Sequence, residues 1–168
     1  MSNFGPAQFG PAVFGGDPVP HLFLQIDAEM TTLARRYTAR GHTDGTSLMV
    51  DDFRVGQGGF DPLDYLAALP VNPDVFDNLV DEVFTGTVQY TEWANTRSVS
   101  FYCPLAAADA AGTYLGEIGI FATIQNSPVV GEDGKQILYA VGNFPMLVRP
   151  PVAADQSAEV VLRVTVTT

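Results

Sequence analysis

The chain is poor in the residues that most reaction chemistry needs. Its 168 residues include one cysteine, Cys103, and two histidines, His21 and His42. A single thiol cannot form an internal disulfide. In the apolar run "VSFYCPL" it reads as a buried, inert side chain, compatible with folding in a reducing compartment. Neither histidine has a second ligand at metal-binding spacing, so no metal and no cofactor are expected. Positive charge is also scarce: 8 Lys and Arg stand against 19 Asp and Glu, for a net charge of −11. Phosphate backbones require a basic surface, so nucleic acid is excluded as the expected partner. No run is long and apolar enough to span a bilayer, and the start lacks the basic and apolar regions of a signal peptide. No membrane role is expected.

Serines 47, 98, 100, 127 and 157 lie in no nucleophile-elbow context. Asp51 and Asp52 are adjacent in an extended stretch, where successive side chains face opposite ways and do not share a site. With no catalytic residues to assign, the chain reads as a non-enzyme.

What is present is apolar material, 46% of the chain. That is too much for a disordered polymer and enough for one domain with a core. The chain opens "NFGPAQFGPAVFGG", in which Phe4, Phe9 and Phe14 recur every five residues. Pro6 and Pro11 fit neither a helix interior nor a central strand. Residues 1–17 are therefore expected to be an extended docking arm, with the three phenylalanines as partner-binding anchors.

Residues 18–168 are expected to form an α+β domain of two helices and a mostly antiparallel β-sheet. Leu22, Ile26, Met30, Leu33 and Tyr37 suit one face of a first helix, with Gly41 as its C-cap. Val75, Leu79 and Val83 suit a second, capped by Asn72 with Pro73 at its first position. Leu48–Val55 reads as a strand closed by "GQGG", and residues 60–73, with their X-Pro steps, as loop. From Thr85 onward the pattern is β. A hairpin turns at residues 94–97, a strand reads "LGEIGIFATI", and Asp133-Gly134 marks a tight turn. The last segment, "AEVVLRVTVTT", alternates cleanly.

One region is specific enough to name a family. "LGEIGIF", a turn with "EDGK", "ILYAVGNFPMLVRPPV" and a closing strand resemble the N-terminal virion-attachment domain of phage tail-collar fibre proteins. The residues that carry this are Glu117, Gly119, Phe121, Asp133-Gly134, Gly142, Asn143, Pro145, Arg149 and Pro150. Upstream, "VGQGG" with Gly56, Gly58 and Gly59 is similar to that family's glycine turn. The resemblance covers roughly residues 20–168. From these residues alone, Gly142 is expected to permit a bulge or a positive φ, and Glu117 either to face solvent or to pair with a cation such as Arg149.

The family continues into a shaft and a receptor-binding tip, whereas this chain shows no heptads and no collagen-like repeat. The resemblance thus implies a structural virion protein, a baseplate or tail-fibre attachment adaptor assembled in the host cytoplasm. Its expected partners are other tail or baseplate proteins and a separate fibre chain, and its expected state is a homo-oligomer, by analogy a trimer. The alternative is a host-surface glycan-binding module with Tyr90 and Trp93 as a stacking platform.

Overall fold

The computed structural model describes residues 21–74, 78–149 and 159–167. The phenylalanine repeat, with Phe4, Phe9 and Phe14, lies outside the described residues, as does Pro150.

The fold is mostly β. Strand β1 (His21–Met30) is followed by the helix α1 (Thr32–Asp44) and then β2 (Ser47–Gly56). A short hairpin, β3 (Phe60–Asp61) and β4 (Asp64–Ala68), precedes β5 (Glu82–Thr87), β6 (Tyr90–Asn95) and β7 (Ser98–Leu105). The chain ends in β8 (Tyr114–Gln125), β9 (Gln136–Val148) and β10 (Glu159–Thr167). Eight strands form one sheet in the order β5-β2-β8-β9-β1-β10-β7-β6, and β3 and β4 pair only with each other. The β1–β10 ladder is parallel, so the sheet is mixed.

Among the described residues, which leave out Val75 of the second expected helix, the expected two helices are thereby corrected to one. Leu22, Ile26 and Met30 recur every four residues, a spacing that suits a strand as well as a helix. Adding Leu24 and Ala28 gives strict alternation, and Ile26, Ala28 and Met30 are buried while Gln25, Asp27 and Glu29 are exposed. The helix begins only after Thr31, whose hydroxyl caps it by accepting from the Ala34 amide at 3.1 Å. It ends at Gly45, in the left-handed region at φ 80°, and not at Gly41.

The second expected helix does not form among the described residues. The Asn72 side chain accepts from the Asp74 amide in a local turn, and by Glu82 the chain is a strand on β2. Residues 60–68, expected as loop, contain the β3–β4 hairpin.

The sheet curls on itself. At its two margins, β5 and β6 are separated by only two residues, and these bridge the gap. Val88 donates its amide to Asp51 on β2 and Gln89 donates to Tyr102 on β7. Inside the curl lies one core, with Phe53 and Val55, Phe101 and Cys103, Ile118 and Ile120, and Leu162 and Val164. Burial pushes the Cys103 thiol pKa up, which suits an inert core residue.

Strand β8 is buried on both faces because described residues of the connection between β2 and β5 cover its outer face. Leu79 and Val71 pack there on Phe121, Leu138 and Val141.

Candidate functional site

The crossing segment is held by the residues of the family-like motifs. Register places Gly56 opposite Glu117 and Glu117 opposite Asn143, so three separated stretches of sequence meet across β2, β8 and β9. Glu117 is 1% exposed. Its Oε1 accepts from the Gly58 amide at 3.3 Å, and its carboxyl also accepts from the Val80 backbone. Burial pushes its pKa up, the two amides oppose this, and the Asp81 carboxylate adds to the rise. Glu117 therefore neither faces solvent nor meets Arg149. Arg149 is buried elsewhere, donating from Nη2 to the carbonyls of Ala106 and Ala107 and from Nε to that of Asp109.

Above Glu117 the chain makes a close turn. Gly59 has φ 86°, and a methyl group on it would collide with the Gly116 carbonyl oxygen. A methyl group on Gly116 would strike the Gly58 carbonyl and the Phe60 ring. Gly56 and Gly58 lie against the Glu117 carboxyl, and Gly119 beneath Leu79 and Leu138. Gly142 makes no bulge and has no positive φ; it leaves room for Ile26 of β1. Phe121 lies under the Arg54 guanidinium, 4.0 Å from its ring centroid, and Pro145 is exposed on β9.

Past Gly59 the chain enters the β3–β4 hairpin. Its base is tied by the Leu69 amide donating to the Gly59 carbonyl at 2.8 Å, and by Asn143 Nδ2 donating to the Leu69 carbonyl at 3.1 Å. Phe60 anchors it, edge-on to Tyr65 at 5.9 Å and to Tyr114 at 5.7 Å. Beyond that anchor the hairpin buries little. Leu63 is 96% exposed and Leu66 84%. Buried polar and glycine residues thus hold a strand pair that presents bare leucines.

Sequence reasoning named the holders and missed what they hold. The signal for the hairpin was available in the Asp61-Pro62 turn step and the aromatic and leucine residues on either side of it.

Tyr90 and Trp93 are both exposed, but the fold does not bring them together. Tyr90 pairs with Tyr102 and stacks on it at 4.0 Å, while Trp93 pairs with Val99 on the opposite face of β6. Tyr102 donates to Glu92 at 2.7 Å and Arg163 lies near both, a polar cluster on the outer face. His42 is exposed in the last turn of α1, and the Asp51 and Asp52 carboxylates accept from Thr123 and Gln136 respectively. Among the described residues no three His, Cys, Asp or Glu side chains are grouped to hold a metal. The chain matches no family model, no curated protein and no solved structure.

Proposed function

We propose that this chain is a structural virion protein of a tailed phage, an adaptor at the baseplate or tail-fibre attachment that acts through protein–protein contacts. One observation carries the contact part of the reading: the two leucines at the hairpin tip stand almost fully in water on a hairpin fixed by Glu117 and Asn143. Exposed leucines on a firmly held element are a recognition surface more than a packing defect. The phage setting is supported by the motif resemblance, whose residues at 56–59, 117 and 143 converge on that hairpin. In this reading the neighbours are tail or baseplate proteins and a fibre chain, and the adaptor is a homo-oligomer, with a trimer favoured by analogy. No cofactor or catalytic step is involved.

The test is mass spectrometry and immunogold labelling of purified virions from a host and phage carrying this sequence. The expected result is the chain at the tail or baseplate, with Leu63→Glu/Leu66→Glu reducing its occupancy. Absence from particles of normal infectivity overturns the virion reading.

A further inference from the structure

The end of the sheet that bears the hairpin is also the end at which the chain enters the fold. Strand β1 runs parallel to β10 from His21↔Glu159, and β10 runs against β7, where Val160 meets Leu105. Strand β9 runs against β1, and its last residue, Val148, pairs with Tyr114 at the start of β8. The start of β1, the close of β9 and the start of β8 therefore share one end with the glycine turn. Exposed apolar side chains lie at that end: Phe23 at 63%, Tyr114 and Val148 at 60%, besides the hairpin leucines, while Leu22, also exposed, is on the other face of β1.

Charge narrows what can cover it. From residue 57 to 81, the stretch between β2 and β5 that includes the hairpin, the sequence has five Asp and Glu and no Lys, Arg or His. A partner surface rich in Asp and Glu would be repelled there, whereas an uncharged segment would not. Residues 1–16 carry no charged side chain and offer Phe4, Phe9 and Phe14 at a period of five. They also join the fold at His21, on the rim of this surface.

We infer that the apolar end is the seat for residues 1–16 of a second copy of this chain, each copy laying its phenylalanine repeat on the hairpin and Phe23 of its neighbour. The inference rests on reading that end as a protein contact surface, and is independent of where the protein acts. The seat is filled from a neighbour because of "DPVP". Pro18 and Pro20 favour extended backbone at Asp17 and Val19, so the sequence disfavours a tight turn that would fold the repeat back onto its own end. At about 3.3 Å per residue, the ten residues from Phe4 to Phe14 reach roughly 33 Å, enough to cross a neighbour's end. A segment passed from each copy to the next is a heterologous contact, which closes into a ring such as the trimer where the rotation between copies permits.

The experiment uses the full-length chain with Phe9 replaced by the photo-crosslinker benzoylphenylalanine, mixed one to one in light and heavy isotope forms. Illumination is expected to join light to heavy chains, with crosslinks mapping to residues 60–69, 22–24 or 148. Leu66→Glu/Phe23→Glu is expected to cut the yield roughly tenfold or more and shift sedimentation toward monomer. Both residues are exposed, so circular dichroism should show the fold unchanged. A second variant, Phe4→Ala/Phe9→Ala/Phe14→Ala, leaves the seat intact and is expected to sediment as monomer too. Crosslinks only within one chain, crosslinks to another surface, or a triple-alanine variant that stays oligomeric overturns the inference. Absence of a crosslinked oligomer from virions overturns only the virion reading.

Discussion

Two carboxylates at opposite ends of the sheet show how differently those ends are built. Glu132, in the β8–β9 connection, accepts from Arg40 of α1 at 2.8 Å and from the Ser127 hydroxyl at 2.8 Å, and Arg40 also pairs with Asp44 at 3.2 Å. Glu117, beneath the glycine turn, is buried against backbone amides. The Arg40 guanidinium and Ser127 hold the Glu132 pKa below the usual carboxylate range, whereas burial pushes that of Glu117 above it. Ion pairs in reach of water close one end at little cost and contribute little. A buried carboxyl with aligned amides costs much to assemble and fixes its neighbours in one arrangement. The molecule uses the costly device where it displays the apolar hairpin, and the cheap one where loop and helix only need closing.

The largest break in that comparison comes from the turn above Glu117. We predict that Gly59→Val destabilises the fold by several kcal/mol, on the order of 3 or more, because it forces a branched residue into positive φ and against the Gly116 carbonyl. Gly116→Val, which meets backbone and the Phe60 ring, should be comparable. Gly134, also at positive φ but with open space around it, is the control in the other end's connection, and Gly134→Val, which meets the backbone penalty alone, should cost less than Gly59→Val. Chemical denaturation measures all three. Equal losses at Gly59 and Gly134 would mean that backbone conformation alone, and not the close packing over Glu117, sets the cost.

Next in size are changes at Glu117. Removing the carboxyl in Glu117→Ala leaves the Gly58 and Val80 amides without their acceptor in a buried site, a loss of about 2–3 kcal/mol. Glu117→Gln keeps an acceptor and separates charge from hydrogen bonding. A raised folded pKa means that the native state binds the proton more tightly than the unfolded chain does. Glu117 therefore makes stability fall as pH rises from the ordinary carboxylate value through the folded one, and above it the loss is complete. The difference in unfolding free energy between wild type and Glu117→Gln should shift in favour of the Gln variant as pH rises through that window. A difference that is flat from pH 4 to 8 would show that the carboxyl ionises as freely in the fold as outside it.

The strands were legible where the pattern was clean: alternation at Val160–Val166 has no other simple reading, and Leu48–Val55 read as a strand although a bulge between Val50 and Asp52 breaks its period. The segment at 22–40 misled for a physical reason. A hydrophobic residue every fourth position satisfies both periods, and Thr31, a cap between strand and helix, is a weak mark in a run without glycine or proline. The run at 72–84 misled because Leu79 is apolar to cover Phe121 and Leu138 from outside the sheet, not to face a core across a helix. At the candidate site, Gly56, Gly58, Gly59, Glu117 and Asn143 were visible as an ordered set of motifs. Their meeting point was not, since it depends on a register spanning three strands. Whether Glu117 faced water or a cation could not be read locally, because its partners are backbone amides.

At the other end the effects should be small and of opposite sign with pH. Glu132→Gln and Arg40→Met each remove a partly exposed pair, and we predict a shift in melting temperature near the experimental spread, smaller still in high salt. The depressed pKa of Glu132 contributes stability present above the ordinary carboxylate pKa and lost as pH falls through the folded value. Comparing wild type with Glu132→Gln over a falling pH series should show what difference there is at pH 7 shrinking as the pH drops below the ordinary carboxylate value. A loss comparable to that of Glu117→Ala would mean that this end, too, is a built site.

The smallest effect on stability is expected where the largest effect on contact is claimed. Leu63 and Leu66 are 96% and 84% exposed, so Leu63→Ser/Leu66→Ser removes almost no buried area from the isolated fold. The hairpin does not depend on them: Phe60, the Leu69 amide and Asn143 tie its base. Surface changes away from caps and cores lie within about 0.5 kcal/mol, and the double variant should fall in that range when the chain is dilute enough to be monomeric. At concentrations where copies associate, wild type should gain stability by mass action and the variant should not. The comparison is therefore two denaturation curves per protein, one dilute and one concentrated. Coincident curves for wild type at both concentrations would show that the leucines face water in the working protein and that the firmly held hairpin presents them to nothing in its own kind.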